Sequence, residues 1–89
     1  MSKRDSFKVR LEMLFILREK ELTFTQIKRK IGTNYETIKK NSKELEFYDF
    51  IYVKKEAKHK KNGKYYYKVG LTEKGFKIAE KINHIYNYN

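Results

Sequence analysis

The sequence predicts a mostly helical α+β fold in the order helix, short strand, helix, helix, β-hairpin, helix. Three observations predict it. Two reciprocal capping spacings, Thr23 with Gln26 and Thr33 with Glu36, stand on either side of Gly32. Two runs rich in β-branched and aromatic residues, FIYVKKEA and KYYYKVGL, flank Asn62-Gly63. Apolar stripes of helical period occupy both ends of the chain. Eighty-nine residues allow a single domain, residues 1–89, with a small core.

Residues 6–21, SFKVRLEMLFILREKE, read as a helix with Ser6 as its N-cap. Phe7, Leu11, Leu14, Phe15 and Leu17 form one stripe, and Val9, Met13 and Ile16 form a second, so the helix needs cover on two sides. A short strand follows at Leu22–Phe24. Thr23 and Gln26 then open a two-turn helix with Ile27 and Ile31 facing inward, closed by Gly32.

Thr33 and Glu36 open the next helix, residues 34–48. Projection puts Asn34, Ile38, Ser42 and Leu45 on its inner arc and Glu36, Lys39, Lys40 and Lys43 on its outer arc. Phe47 also projects outward and is expected to tuck under the following strand or a partner subunit. Two capped helices joined across a glycine are a helix-turn-helix pattern.

In the hairpin, a two-residue turn would pair odd positions with even ones and split Ile51 and Val53 from Val69 and Leu71. The expectation is therefore a longer loop, Lys61-Asn62-Gly63, or a bulge, which pairs odd with odd. Thr72 caps the last helix, 73–86, with Glu73 at its positive end. Phe76, Ala79, Ile82 and Tyr86 form one stripe there, and Ile78, Ile82 and Ile85 another.

The net charge of +11 makes a polyanion the first partner to consider, and residues 54–68 concentrate seven lysines against Glu56 alone. Lysines on a protruding hairpin reach phosphates and release their condensed counterions. The longest apolar run, MLFIL at 13–17, is too short for a membrane span. The absence of cysteine, and a start, MSKRDSFKVR, without an apolar leader, predict a cytoplasmic protein. Ser2, Ser6 and Ser42 and the distant His59 and His84 assemble no nucleophile–base pair and no metal site, so the expectation is no enzyme, no cofactor and no small-molecule ligand. The bias toward Lys, Ile, Tyr and Asn points to an AT-rich, archaeal or viral source.

TFTQIKRKIGTNYETIKKNSKELEFYDFI followed by GLTEKG resembles winged helix-turn-helix transcription regulators of the small archaeal, single-domain and MarR-like type, over about residues 22–75. The chain departs from that pattern at Asp49, where glycine commonly stands. The resemblance implies double-stranded DNA as partner, the third helix in the major groove, a hairpin wing on the backbone or minor groove, and terminal helices that form a homodimer.

Carried onto this sequence, Asn34, Tyr35, Glu36, Thr37, Lys39, Lys40 and Lys43 take the recognition role. Lys58, His59, Lys60, Lys61, Asn62 and Lys64 take the wing role. Lys28 and Arg29, with backbone N–H groups at Thr25 and Gln26, are expected to meet phosphates. Val9, Met13, Ile16, Ile78, Ile82 and Ile85 would be exposed on a monomer and are expected at the dimer interface, unless the two stripes pack on each other within one chain. Architectural DNA binding, RNA binding and a winged helix used for protein contacts remain open as alternatives.

Overall fold

A computed structural model describes residues 6–57 and 65–86. They form α1 (Ser6–Ile16), β1 (Leu22–Thr23), α2 (Phe24–Ile31), α3 (Tyr35–Phe47), β2 (Ile51–Ala57), β3 (Tyr65–Leu71) and α4 (Glu73–Tyr86), the expected order. α1 is shorter than predicted, and Ser6 belongs to its first turn instead of capping it. Arg18 closes its far end. The Arg18 Nε donates to the Phe15 carbonyl at 3.3 Å, the guanidinium lies over the Phe15 ring, and Nη1 reaches Glu80 of α4 at 3.4 Å. The chain can then turn into β1.

β3 is the central strand of a three-stranded antiparallel sheet, with β1 on one side and β2 on the other. Odd positions pair with odd ones, Ile51 with Leu71 and Val53 with Val69, while Leu22 pairs with Val69 from the other side. That parity is the one expected from a loop longer than two residues, and it sets the apolar residues of all three strands on one face. The loop itself, 58–64, lies outside the described residues.

The helices cover that face. Val9, Met13, Leu14 and Leu17 meet Ile27 and Ile31 of α2, Ile38 and Leu45 of α3, Ile51 and Val69 of the sheet, and Ala79 and Ile82 of α4 in one cluster. This corrects the expectation of an exposed second stripe. Val9 and Met13 are 0% exposed within a single chain, Ile82 is buried, and Ile16 and Ile78 pack against the same cluster. α1 touches α2, α3 and α4 together, so it needs apolar residues on more than one side. The side chain of Ile85 lies outside the described residues.

Candidate nucleic-acid interface

α2 begins with the predicted capping box: Thr23 N–H donates to Gln26 Oε1 at 2.9 Å, and Gln26 N–H donates to Thr23 Oγ1 at 3.1 Å. It ends at Gly32, which takes φ 79, while Gly32 N–H and Thr33 N–H both donate to the Lys28 carbonyl at 2.8 and 3.3 Å. Thr33 is thereby spent on closing α2 and does not open α3. Asn34 caps α3 instead, its Oδ1 accepting from Thr37 N–H at 2.8 Å, so the predicted Thr33–Glu36 box does not form. Asn34 accordingly stands exposed at the helix end and not on the inner arc.

The inner side of α3 carries Ile38, Ser42 and Leu45, as projected, together with Asn41, which sequence reasoning missed. Asn41 Nδ2 donates to the Thr37 carbonyl at 2.8 Å, and its Oδ1 accepts from Arg10 Nε of α1 at 2.9 Å. Both ends of a buried amide are satisfied, which fixes the rotation of α3 against α1. Arg10 also approaches Glu44 at 4.0 Å. The only sequence signal was an asparagine between the apolar and charged arcs.

Glu36, Lys39, Lys40 and Lys43 are exposed on the other side of α3, and with Glu44 they line a shallow recess of about 300 Å³. A second cavity, of about 250 Å³, separates α3 from the sheet between Phe24, Tyr35, Lys39, Ser42, Lys43, Glu46, Val53 and Tyr67. Its walls include an aromatic row. Tyr35 meets Phe24 edge-on at 5.7 Å, and Phe24 stacks on Tyr67 at 6.0 Å, linking α3 through α2 to β3. Tyr35 nevertheless stays 42% exposed.

On α2, Thr25, Gln26 and Arg29 are exposed and Lys28 is half-buried. The Gln26 N–H is occupied by Thr23, which removes it as a phosphate donor in this geometry. Phe47 does not tuck under the following strand: in the single chain it is 82% exposed, with its ring edge-on to Tyr48 at 5.3 Å.

The turn from α3 to β2 is held from α4. Asp49 takes φ 66, in the left-handed region, at the position where the resembled family commonly has glycine. Thr72 Oγ1 donates to the Asp49 carbonyl at 2.6 Å and accepts from Gly75 N–H at 3.0 Å, capping α4 as expected. Lys74 Nζ donates to the Tyr48 carbonyl at 3.0 Å and lies over the Phe50 ring. A Cβ on Gly75 would overlap the Phe50 carbonyl oxygen. The run Thr72-Glu73-Lys74-Gly75 is thus a clamp on the α3–β2 turn.

No protein-family model matches the chain, and no curated protein matches it in sequence. Solved structures match its shape. The adhesin competence repressor of Streptococcus pyogenes superposes with a TM-score of 0.75 at 20% identity, over 89% of this chain and 56% of its own. PadR of Bacillus subtilis, in complex with operator DNA, gives 0.73 at 18% identity, over 82% and 45%. A transcriptional regulator homologue from Pyrococcus horikoshii gives 0.74 at 17% identity, over 90% and 77%. The fold is a winged helix-turn-helix. The chain spans little more than half the length of the first of these neighbours.

In this winged helix-turn-helix the wing is β2 and β3, and its predicted tip residues Lys58, His59, Lys60, Lys61, Asn62 and Lys64 lie outside the described residues. The wing's root is tied down. The Tyr52 hydroxyl donates to Glu21, ahead of β1, and Lys54 pairs with Glu21 at 3.2 Å and with Glu56 at 3.6 Å. The Tyr52 hydroxyl, and after it the Lys54 ammonium, hold the Glu21 carboxyl below its ordinary range, while Glu21 pushes both the Tyr52 phenol and the Lys54 ammonium up. Gly70 leaves room for the Tyr52 ring, which a Cβ there would strike. Farther out, the Lys55 ammonium lies 4.3 Å from the centre of the Tyr65 ring. Among the described residues no helix is long and apolar enough to cross a membrane, and no group of three ligand-bearing side chains could hold a metal.

Proposed function

We propose that this single domain is a sequence-specific, double-stranded DNA-binding transcriptional regulator, with α3 in the major groove and the wing on the backbone or in the minor groove. The observation that carries the reading is α3 itself: Lys39, Lys40 and Lys43 stand exposed on a helix capped at its start and locked behind by Asn41 and Arg10. A helix of fixed rotation presents the same side chains to a groove each time, which base reading requires. Glu36 offsets part of that charge, so the affinity comes largely from Lys28, Arg29 and the lysine-rich wing. PadR, a neighbour in fold, is seen on operator DNA, which favours the same partner here.

The proposal includes a homodimer. Phe76 of α4 is exposed and takes over the role first expected of residues that prove to be core. Two copies related by a two-fold axis would read half-sites about 34–36 Å apart.

Selection from a random duplex pool at about 0.15 M salt tests both parts. The expected result is an inverted-repeat motif bound on the order of 10³-fold more tightly than random duplex. Affinity indifferent to sequence would replace the regulator with an architectural protein. Better competition by an A-form duplex would point to RNA. Binding that survives replacement of Lys39, Lys40 and Lys43 by alanine, with its sequence preference unchanged, would remove α3 from the reading.

A further inference from the structure

The buried residues of α3, Ile38, Asn41, Ser42 and Leu45, define one pole of the helix. Counting about 100° per residue from their centre, the opposite pole is occupied by Glu36, Lys40, Lys43 and Phe47, all within about 30°, and Phe47 falls within about 10° of it. Phe47 is the most exposed large hydrophobic residue of the described chain, at 82%. It follows Lys43 by about 6 Å along the axis. Its ring meets that of Tyr48 edge-on at 5.3 Å.

A large aromatic residue at the outward pole of a helix, in line with two lysines, needs a partner that is anionic overall and apolar at one point. The major groove of DNA is such a surface. Its base edges are hydrogen-bonding groups throughout except for the C5-methyl of thymine, which apolar side chains contact directly. We propose that Phe47 is a specificity-determining residue that packs on a thymine methyl while Lys40 and Lys43 hold the adjoining phosphate or base edges. The inference rests on the DNA-binding reading above and assigns that site a component its cations cannot supply.

The test uses the full chain and the duplex recovered from selection, with each thymine replaced in turn by deoxyuridine, which removes only the methyl group. Loss of one buried methyl should weaken binding about fourfold. For the native chain at least one thymine should show that loss. For Phe47→Ala the same replacement should cost less than twofold, because the contact is already gone, and Phe47→Leu should restore part of the methyl dependence. Unchanged circular dichroism and melting are expected for both variants, since the side chain is exposed.

Equal deoxyuridine penalties in the native chain and Phe47→Ala would overturn the proposal while preserving the DNA reading. A Phe47→Ala variant that loses self-association and keeps every methyl effect would assign the face to a second copy and equally overturn it. Failure to recover any bound duplex would reject the DNA reading itself, and the thymine contact with it.

Discussion

α3 is entered and left through two left-handed turns of nearly the same shape, held in different ways. At the entry, Gly32 has φ 79, and a Cβ built there would meet nothing within 4 Å. At the exit, Asp49 has φ 66 and carries a side chain. Phe50 N–H donates to the Leu45 carbonyl at 2.9 Å and Asp49 N–H to the Glu46 carbonyl at 3.0 Å, the paired hydrogen bonds that glycine usually completes. The exit also has the Thr72 hydroxyl on the Asp49 carbonyl and Lys74 on the Tyr48 carbonyl. A bend buttressed by another element can hold a residue of poor intrinsic preference, whereas one standing in open space depends on glycine.

Breaking the buttress should give the largest effect. In Gly75→Ala the new methyl would meet backbone, not the movable end of a side chain, so the unfolding free energy from urea titration should fall by about 3 kcal/mol or more. A loss under about 1 kcal/mol would show that α4 does not press on Phe50. Thr72→Ala removes the α4 cap and the partner of the Asp49 carbonyl together, for an expected loss of about 2 kcal/mol.

At the unbuttressed turn, Gly32→Ala costs only left-handed torsion, about 1 kcal/mol by the same titration. Asp49→Gly should go the other way and stabilise by about 0.5 kcal/mol, because relief of torsion exceeds the added freedom of the unfolded chain. Destabilisation by that change would mean that the Asp49 side chain supports the turn.

The smallest effect concerns the far side of the wing root. The Glu21 carboxyl is lowered in the folded chain, so its contribution is whole above the ordinary glutamate range and is lost as pH falls through the lowered folded value. Glu21→Gln should therefore lower the melting temperature slightly at neutral pH and, by the same amount, reduce its fall between about pH 6 and about pH 3. An unaltered acid profile would take Glu21 out of the account.

The same contrast separates what the sequence made legible from what it hid. Thr23–Gln26, Gly32 and Thr72 were readable because each is a local bond or torsion within four residues. Hairpin parity was readable because burial of Ile51, Val53 and Val69 on one face admits only odd–odd pairing. Thr33–Glu36 misled because its spacing is sound, yet Thr33 had already been taken by the preceding turn. Val9 and Met13 were assigned to a partner subunit because the second stripe of α1 called for cover on another side, and nothing in its own residues says that helices of the same chain supply it. The lysines of α3 were legible from their exposure. The Arg10–Asn41 link, the Phe24 row and the Thr72–Gly75 clamp join residues far apart in the chain, and single-sequence periodicity carries no record of such meetings.

Asn41 has a consequence for how this helix can change. Its amide acts as a spline between α3 and α1: rotating the rod by even one residue would strand a polar group among Ile38, Leu45 and Met13. Glu36, Lys39, Lys40 and Lys43 can therefore be exchanged in an engineered variant, since their bearings are set by a joint on the opposite side, the Arg10–Asn41 link, in which none of them takes part.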